Sequence, residues 1–238
     1  MKTIVLALCL LAQDDDAKKK DAEAKEKVDA FTKSLPKCKK DDDFIAAIEE
    51  LGKTRHARIL EALKPWLGKG SADIRIVGAK EIGKYEKDKG AAEVLLVAGS
   101  ATKEPDVAAK MIRLVGDVGY RPIAKDLVKL FGHKSADVAA AACDACGALK
   151  SKVTIAPLID LVRQLEQIKD DQGSPQEPPV PGPPTPGPAP KDDQKARKDK
   201  LLPAAMGALR DISGENKKTG QEWTDWWKKA QATWKEPD

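Results

Sequence analysis

The chain has 238 residues, of which 41% are apolar and 34% are charged, and its formal net charge is only +4. This length and apolar share suffice for a buried core, and the scarcity of β-branched and aromatic residues favours an all-α fold. Charges of both signs are interleaved along the sequence. Because nucleic-acid binding needs a basic stripe, we expect no nucleic-acid partner.

The N-terminus reads "MKTIVLALCLLAQDDD", in which one Lys precedes an apolar run. This run is too short to anchor a chain across a bilayer, so we expect no integral membrane span. We interpret residues 1–13 as a signal peptide for export to the periplasm or the cell exterior; the alternative is an apolar N-terminus on a cytoplasmic protein. Residues 14–27, "DDDAKKKDAEAKEK", lack an apolar stripe, which indicates a charged linker or a fraying helix.

An internal repeat follows in the middle of the chain. "DIRIVGAKEIG" at 73–83, "DVAAKMIRLVG" at 106–116 and "DVAAAACDACG" at 137–147 align without gaps. Each predicts a helix whose leading Asp can cap free amide groups and complement the helix dipole. The Gly at the far end of each predicts a left-handed cap and a tight turn. Apolar stretches after each Gly, at 91–101, 121–132 and 155–167, predict a second helix.

Helix pairs of this length bury their apolar faces by stacking into a solenoid. The repeated Asp-(Ile/Val)-x8-Gly units resemble HEAT repeats, in particular the short bacterial kind of the phycobilin-lyase-like group. The resemblance covers 42–167, with a degenerate unit at 199–214, and it implies an α-solenoid of HEAT-like helical hairpins. The Arg that the family places two residues after the Asp is present here only as Arg75, with Ala108 and Ala139 in the other units.

We therefore assign a solenoid to 28–169, a Pro-rich linker to 170–198, and a terminal repeat with a Trp-rich helix to 199–238. Of the 16 prolines, nine lie between 175 and 190. Proline fixes φ and removes a hydrogen-bond donor, so this stretch is expected to be an extended spacer. The alternative is a docking segment for a partner with an aromatic groove.

Catalysis has little support in the sequence. The two histidines, His56 and His133, are expected to face solvent or to cap helix carbonyls. Cys143 and Cys146 have the spacing of a redox or zinc pair. However, they align with apolar repeat positions and are therefore expected in the core. We predict no catalytic residue, no metal site and no cofactor.

Four of the five tryptophans lie near the C-terminus, as Trp223, Trp226, Trp227 and Trp234. Their spacing places them on one stripe of a helix. One interpretation is that the stripe seals the open end of the last repeat against Leu201, Leu202, Met206, Leu209 and Ile212. The other is that the indoles bind a ligand such as a sugar ring or a partner helix.

The leading hypothesis is a non-enzymatic HEAT-repeat scaffold, exported, that binds an unidentified protein partner. Candidate contact residues are the turn residues Tyr120, Arg121 and His133, together with the four C-terminal tryptophans. A second hypothesis is a carbohydrate- or envelope-binding module that uses the Trp stripe. The resemblance to the lyase-like group suggests a third role, accessory to an enzyme, but no reactive residue carries that activity over.

Overall fold

The computed structural model describes residues 2–168 and 191–236, and within them the chain forms eleven α-helices and no strand. The all-α fold class predicted from composition is confirmed. The helices are α1 (Lys2–Ser34), α2 (Asp41–Gly52), α3 (Ala57–Leu63), α4 (Ala72–Gly83), α5 (Lys89–Ala101), α6 (Pro105–Val118), α7 (Ala124–Val128), α8 (Ala136–Leu149), α9 (Ile155–Glu166), α10 (Lys191–Ser213) and α11 (Gly220–Ala230). The chain divides between Tyr120 and Arg121 into two compact units.

In the first unit, α4 packs against α2 and α6, and α5 packs against α4 and α6. Apolar side chains at helical spacing face inward from each of these helices, which removes them from water. The fully buried large side chains of this unit are Ile48, Ile59, Leu63, Ile82, Leu95, Met111 and Ile112.

The long helix α1 packs against α2 and α3 of the same unit. The Asp21 carboxylate accepts two hydrogen bonds from the Arg58 guanidinium, at 2.6 Å and 2.9 Å, and these lower the pKa of Asp21. Residues 14–27, for which the sequence leaves a linker or a helix open, lie within α1. The assignment of 1–13 as a signal peptide stays a prediction. Within the described residues, no helix combines the length and apolarity needed to cross a membrane.

In the second unit, α10 packs against α8 and α9, and α11 packs against α9. The Trp-rich helix therefore lies chiefly on α9, whereas the sequence led us to expect α10 side chains as its partners. Gly220, the first residue of α11, is buried, and its backbone N–H donates to the Glu166 carboxylate of α9 at 2.9 Å. A Cβ at Gly220 would lie 2.5 Å from Cγ of Arg163, so glycine is what allows this close approach.

The three Asp-to-Gly segments form α4, α6 and α8, as predicted. The predicted capping by Asp is wrong, because the N-cap positions are Ser71, Glu104 and Ser135. Of these, only Ser71 accepts a backbone hydrogen bond through its side chain. The aspartates occupy the second helical position in each case: Asp73, Asp106 and Asp137. There a carboxylate complements the positive end of the helix dipole.

The repeated glycines do not form the predicted left-handed cap, and two of them, Gly83 and Gly147, serve close packing instead. The left-handed residues that follow α6 and α8 are Gly119 (φ 72°) and Lys150 (φ 50°), each beyond the end of its helix, while the repeat glycines lie in α4, α6 and α8 themselves. A Cβ at Gly83 would lie 3.0 Å from Cδ2 of Leu114, and one at Gly147 would lie 3.0 Å from Cα of Ala208. Both contacts are shorter than nearly all real Cβ contacts.

The Pro-rich segment at 173–190 lies outside the described residues, so its interpretation as a spacer or docking segment stays a prediction. Helix α10 begins at Lys191, earlier than the boundary at 199 assigned from the sequence. The reason is the composition of 191–198, since Lys, Gln, Ala and Arg all have high helix propensity.

Candidate functional site

An open groove of about 700 Å³ lies on the surface of the first unit. One wall is the outer face of α5, and the opposite wall is the 310 turn at Lys64–Leu67. Val97 stands in the groove with 68% of its surface exposed, the most exposed large hydrophobic side chain in the described part of the chain. The apolar lining consists of Pro65, Leu67, Val94, Val97, Ala98 and Ala101. We call this surface the α5 groove.

The groove exists because α5 is apolar on two opposite faces. Leu95 and Gly99 on one face are buried toward the core, where a Cβ at Gly99 would lie 2.8 Å from Cδ1 of Ile112 in α6. Val94, Val97 and Ala101 on the other face have the i, i+3, i+7 spacing of a second stripe. A helix that is apolar all round is normally buried all round. Among the described residues, nothing thus gives the second stripe of α5 the cover that its composition predicts.

Charged side chains form the rim of the α5 groove. The Arg75 guanidinium donates to both carboxylate oxygens of Glu104, at 3.1 Å and 3.0 Å. This pairing raises the pKa of Arg75 and lowers the pKa of Glu104. It also links α4 to the residue that precedes α6 and so fixes one end of the groove. Lys64, Glu93 and Lys103 complete the rim.

The second candidate site is the row of C-terminal indoles in the second unit. Trp223 is fully buried, whereas Trp226, Trp227 and Trp234 are half-buried. Their ring centroids follow one another at 5.5, 5.6 and 6.3 Å, mostly edge to face. Such a row has the geometry that aromatic rings favour among themselves. The predicted helical stripe therefore holds for Trp223, Trp226 and Trp227, whereas Trp234 follows the end of α11 at Ala230 and joins the row from outside the helix. The row has one sealed end and one accessible edge.

The chain's last described residues fasten this row to Ser151 and Lys152, just before α9. The Glu236 carboxylate accepts hydrogen bonds from the Ser151 hydroxyl at 3.0 Å and from the backbone N–H of Lys152 at 2.6 Å. The Lys152 ammonium lies 5.9 Å from the ring centroid of Trp227, within the range of a cation–π contact. It also donates to the carbonyl of Trp234.

The sequence predicts that the two histidines face solvent or cap helix carbonyls; both are half-buried, and each accepts a backbone N–H near a helix start instead of capping carbonyls. His56 is the N-cap of α3, and its Nδ1 accepts the backbone N–H of Arg58 at 3.2 Å. His133 Nδ1 accepts the backbone N–H of Ser135 at 3.1 Å, just before α8. In both cases the ring Nδ1 supplies the acceptor that a helix start needs.

The predicted turn residues Tyr120, Arg121 and His133 are divided between the two units. Tyr120 ends the first unit and is half-buried, and Arg121 is half-buried in the 310 turn that opens the second unit. His133, also half-buried, belongs to a different turn, where its backbone carbonyl accepts a hydrogen bond from Arg197 at 2.7 Å.

The cysteine pair is buried, as predicted from the repeat alignment. Cys143 and Cys146 are both fully buried in α8. Burial raises the pKa of Cys143 to about 12 and raises the pKa of Cys146 as well, which keeps both thiols protonated. Within the described residues, no group of three His, Cys, Asp or Glu side chains is arranged to hold a metal ion.

Sequence reasoning missed the α5 groove. The stretch "AAEVLLVAGSA" is apolar almost throughout, so its periodicity gave no hint that one face would stay uncovered. The available signal was the surplus of apolar residues in this stretch, because the valines at 94 and 97 exceed what one buried stripe needs. No protein-family model matches the chain, and no curated protein matches its sequence.

Proposed function

We propose that the chain is a non-enzymatic helical scaffold that binds a protein partner through the α5 groove. The observation that carries this proposal is the 68% exposure of Val97 inside an apolar concavity. An exposed apolar surface rimmed by charges is typical of protein–protein interaction sites. Helix-in-groove binding uses such a surface, with anchors at i, i+3, i+4 and i+7 of the bound helix.

The surroundings of the two histidines and of the buried cysteine pair support a binding role over catalysis. The Nδ1 lone pairs of His56 and His133 accept backbone amides, so these rings serve helix starts. The thiols of Cys143 and Cys146 are buried and protonated, and the thiolate is the form that reacts. The α5 groove is also open and apolar, whereas small-molecule sites enclose most of their ligand and carry a few convergent polar groups.

We further propose that the helix pairs are HEAT-type repeats that stack within each unit. In the first unit the leading helices α2, α4 and α6 pack in series. In the second unit α8 packs against α10, and α9 packs against α11. Contact of leading helix with leading helix, and of trailing helix with trailing helix, is what tandem stacking requires. Export directed by residues 1–13 is part of the same proposal, and cell fractionation with N-terminal sequencing tests it.

Site-specific photo-crosslinking tests the binding role. A photo-reactive amino acid replaces Val97, and the full chain is irradiated in the cells or extract that produce it. The matched control carries the same group at Val153, the other exposed large hydrophobic residue of the described chain, at 43% exposure. We expect a discrete protein adduct from position 97 and none from position 153. Equal labelling at both positions, or none at 97, contradicts a binding role for the α5 groove.

The half-buried indoles support a second candidate function, the binding of carbohydrate. Trp226, Trp227 and Trp234 keep accessible ring surface, and indole faces stack on sugar rings. Fluorescence titration with glycans distinguishes the candidates, because a stacked sugar shifts the emission of accessible indoles. Trp226→Phe should weaken such a response, whereas Trp66→Phe, in the first unit, should leave it unchanged. Emission that ignores all glycans contradicts this function.

A further inference from the structure

We propose that the occupant of the α5 groove is α5 of a second copy of this chain, in an antiparallel pair with two-fold symmetry. The inference rests on the proposed function, since it names the partner of the same groove. A two-fold interface requires one patch that is complementary to itself, with both a projection and a hollow. The α5 groove has both, because Val97 projects into a concavity lined by Ala98 and Ala101.

The small side chains favour a helix as the occupant. Ala98 and Ala101 lie next to Val97 on α5, and their methyl groups leave room for a neighbouring backbone. Helix axes approach within about 8–10 Å when the side chains at the contact are small. An α5 helix from a second copy, with its own alanines at the crossing, can therefore settle against the first, each Val97 entering the hollow of the other copy.

The rim charges select the antiparallel orientation. Glu93 and Lys103 both line the groove: Glu93 lies near the start of α5, and Lys103 lies two residues beyond the end of the helix at Ala101. In an antiparallel pair centred near Ala98, the end of α5 that carries Glu93 in one copy lies beside the end that precedes Lys103 in the other. The dimer then contains two pairs of Glu93 with Lys103, one at each end of the interface. A parallel pair would instead place Glu93 beside Glu93 and Lys103 beside Lys103, which is repulsive.

In the described part of its own chain, Glu93 has one loose partner to give up. Its carboxylate lies 3.7 Å from the ammonium of Lys89, and both side chains are more than half exposed. An exposed pair of this kind contributes little. The Glu93 side chain is thus available to a cation from another copy at small cost.

Analytical ultracentrifugation of the full chain over a range of concentrations tests the pairing. We expect a reversible monomer–dimer equilibrium. Val97→Glu should weaken dimerisation at least about 100-fold, because two carboxylates would be buried at the centre of the interface without partners. Val153→Glu adds the same charge at an exposed valine of the second unit and should leave the equilibrium unchanged. Circular dichroism checks that each variant is folded.

Charge reversal distinguishes a second copy from any other partner. Glu93→Lys and Lys103→Glu should each weaken the dimer about tenfold, since each change turns two attractive contacts into two repulsive ones. The double variant Glu93→Lys/Lys103→Glu restores both attractions and should recover the original affinity. A partner of different sequence keeps its own charges when Glu93 and Lys103 are reversed. The double variant would then not recover binding to such a partner.

The outcomes separate this inference from the proposed function. A folded chain that stays monomeric at all concentrations overturns the inference, as does a dimer that is insensitive to Val97→Glu or is not rescued by the double reversal. If the crosslinker at position 97 then captures a different protein, the scaffold role stands and only the identity of the partner is wrong. If it captures nothing, both fail.

Discussion

Trp223 is the residue on which the stability of the second unit should depend most. It is the largest fully buried side chain in the described residues, and it belongs to α11, whose main neighbour is α9. Trp→Ala substitutions in protein cores cost about 3–5 kcal/mol, through lost apolar burial and the cavity that remains. We expect Trp223→Ala to lower the free energy of unfolding by this amount.

The indole nitrogen of Trp223 makes a second, sharper expectation possible. Nε1 is buried, and no group in the described chain accepts its hydrogen bond. A buried donor without a partner costs about 1–3 kcal/mol. Phenylalanine removes that donor along with part of the ring, so the two effects oppose each other. We expect Trp223→Phe to cost less than half as much as Trp223→Ala.

Urea unfolding followed by far-UV circular dichroism measures both substitutions, with the m-value as a check that the transition is unchanged. Trp226→Phe, at a half-buried ring of the same helix, is the matched control and should cost less than Trp223→Ala. The reasoning is refuted if Trp223→Ala stays within about 1 kcal/mol of the wild type, since a sealed core indole cannot be that inexpensive to remove. It is also refuted if Phe and Ala at this position cost the same.

Three further predictions concern packing, thiols and pH. Gly147→Ala should destabilise the chain by about 1–3 kcal/mol in urea unfolding, because its Cβ would meet the backbone of α10 at 3.0 Å. Gly207→Ala has open space around it and should stabilise by up to about 1 kcal/mol through helix propensity. Iodoacetamide should label the half-buried Cys38 in the native protein but label Cys143 only after denaturation, as peptide mass spectrometry can record. The pKa of Asp21 is lowered by its arginine partner in α3, so the contribution of this ion pair to stability is present above pH 3.8 and is lost as the pH falls through the folded pKa. The difference in thermal midpoint between wild type and Asp21→Asn should vanish over that range.

The helices were predictable because their signals are local. Apolar residues at three- and four-residue spacing located α4, α6, α8 and α9, and the alignment of the repeats placed Cys143 in the core. Alignment carries information about burial, since equivalent positions of a repeat face the same interior. What it does not carry is the role of an individual residue at a helix end.

The roles of the residues at the helix ends were predicted wrongly because different structural positions favour the same residue types. Asp is common both at the N-cap and in the first turn, and here it occupies the first turn. Gly suits both a left-handed cap and a close helix contact, and at Gly83 and Gly147 the contact decides. Likewise, His56 caps a helix start through Nδ1, a use that only the rotamer reveals. A sequence lists candidates for such roles, and three-dimensional neighbours choose among them.

The α5 groove was beyond prediction for a related reason: periodicity identifies which faces are apolar but not which of them find a neighbour. In α5 one stripe is covered by α6, and the other, at Val94 and Val97, remains open because the unit places no described helix over it. A sequence that keeps Val97 exposed and Val94 only half-buried on a helix already apolar enough to fold incurs a risk of nonspecific association. That risk is acceptable when the surface has a specific occupant, and a second copy of the chain would bring the Glu93 end of its α5 beside Lys103 of the first. The double charge reversal is therefore decisive, because it inverts the rim while leaving the apolar floor of the groove unchanged.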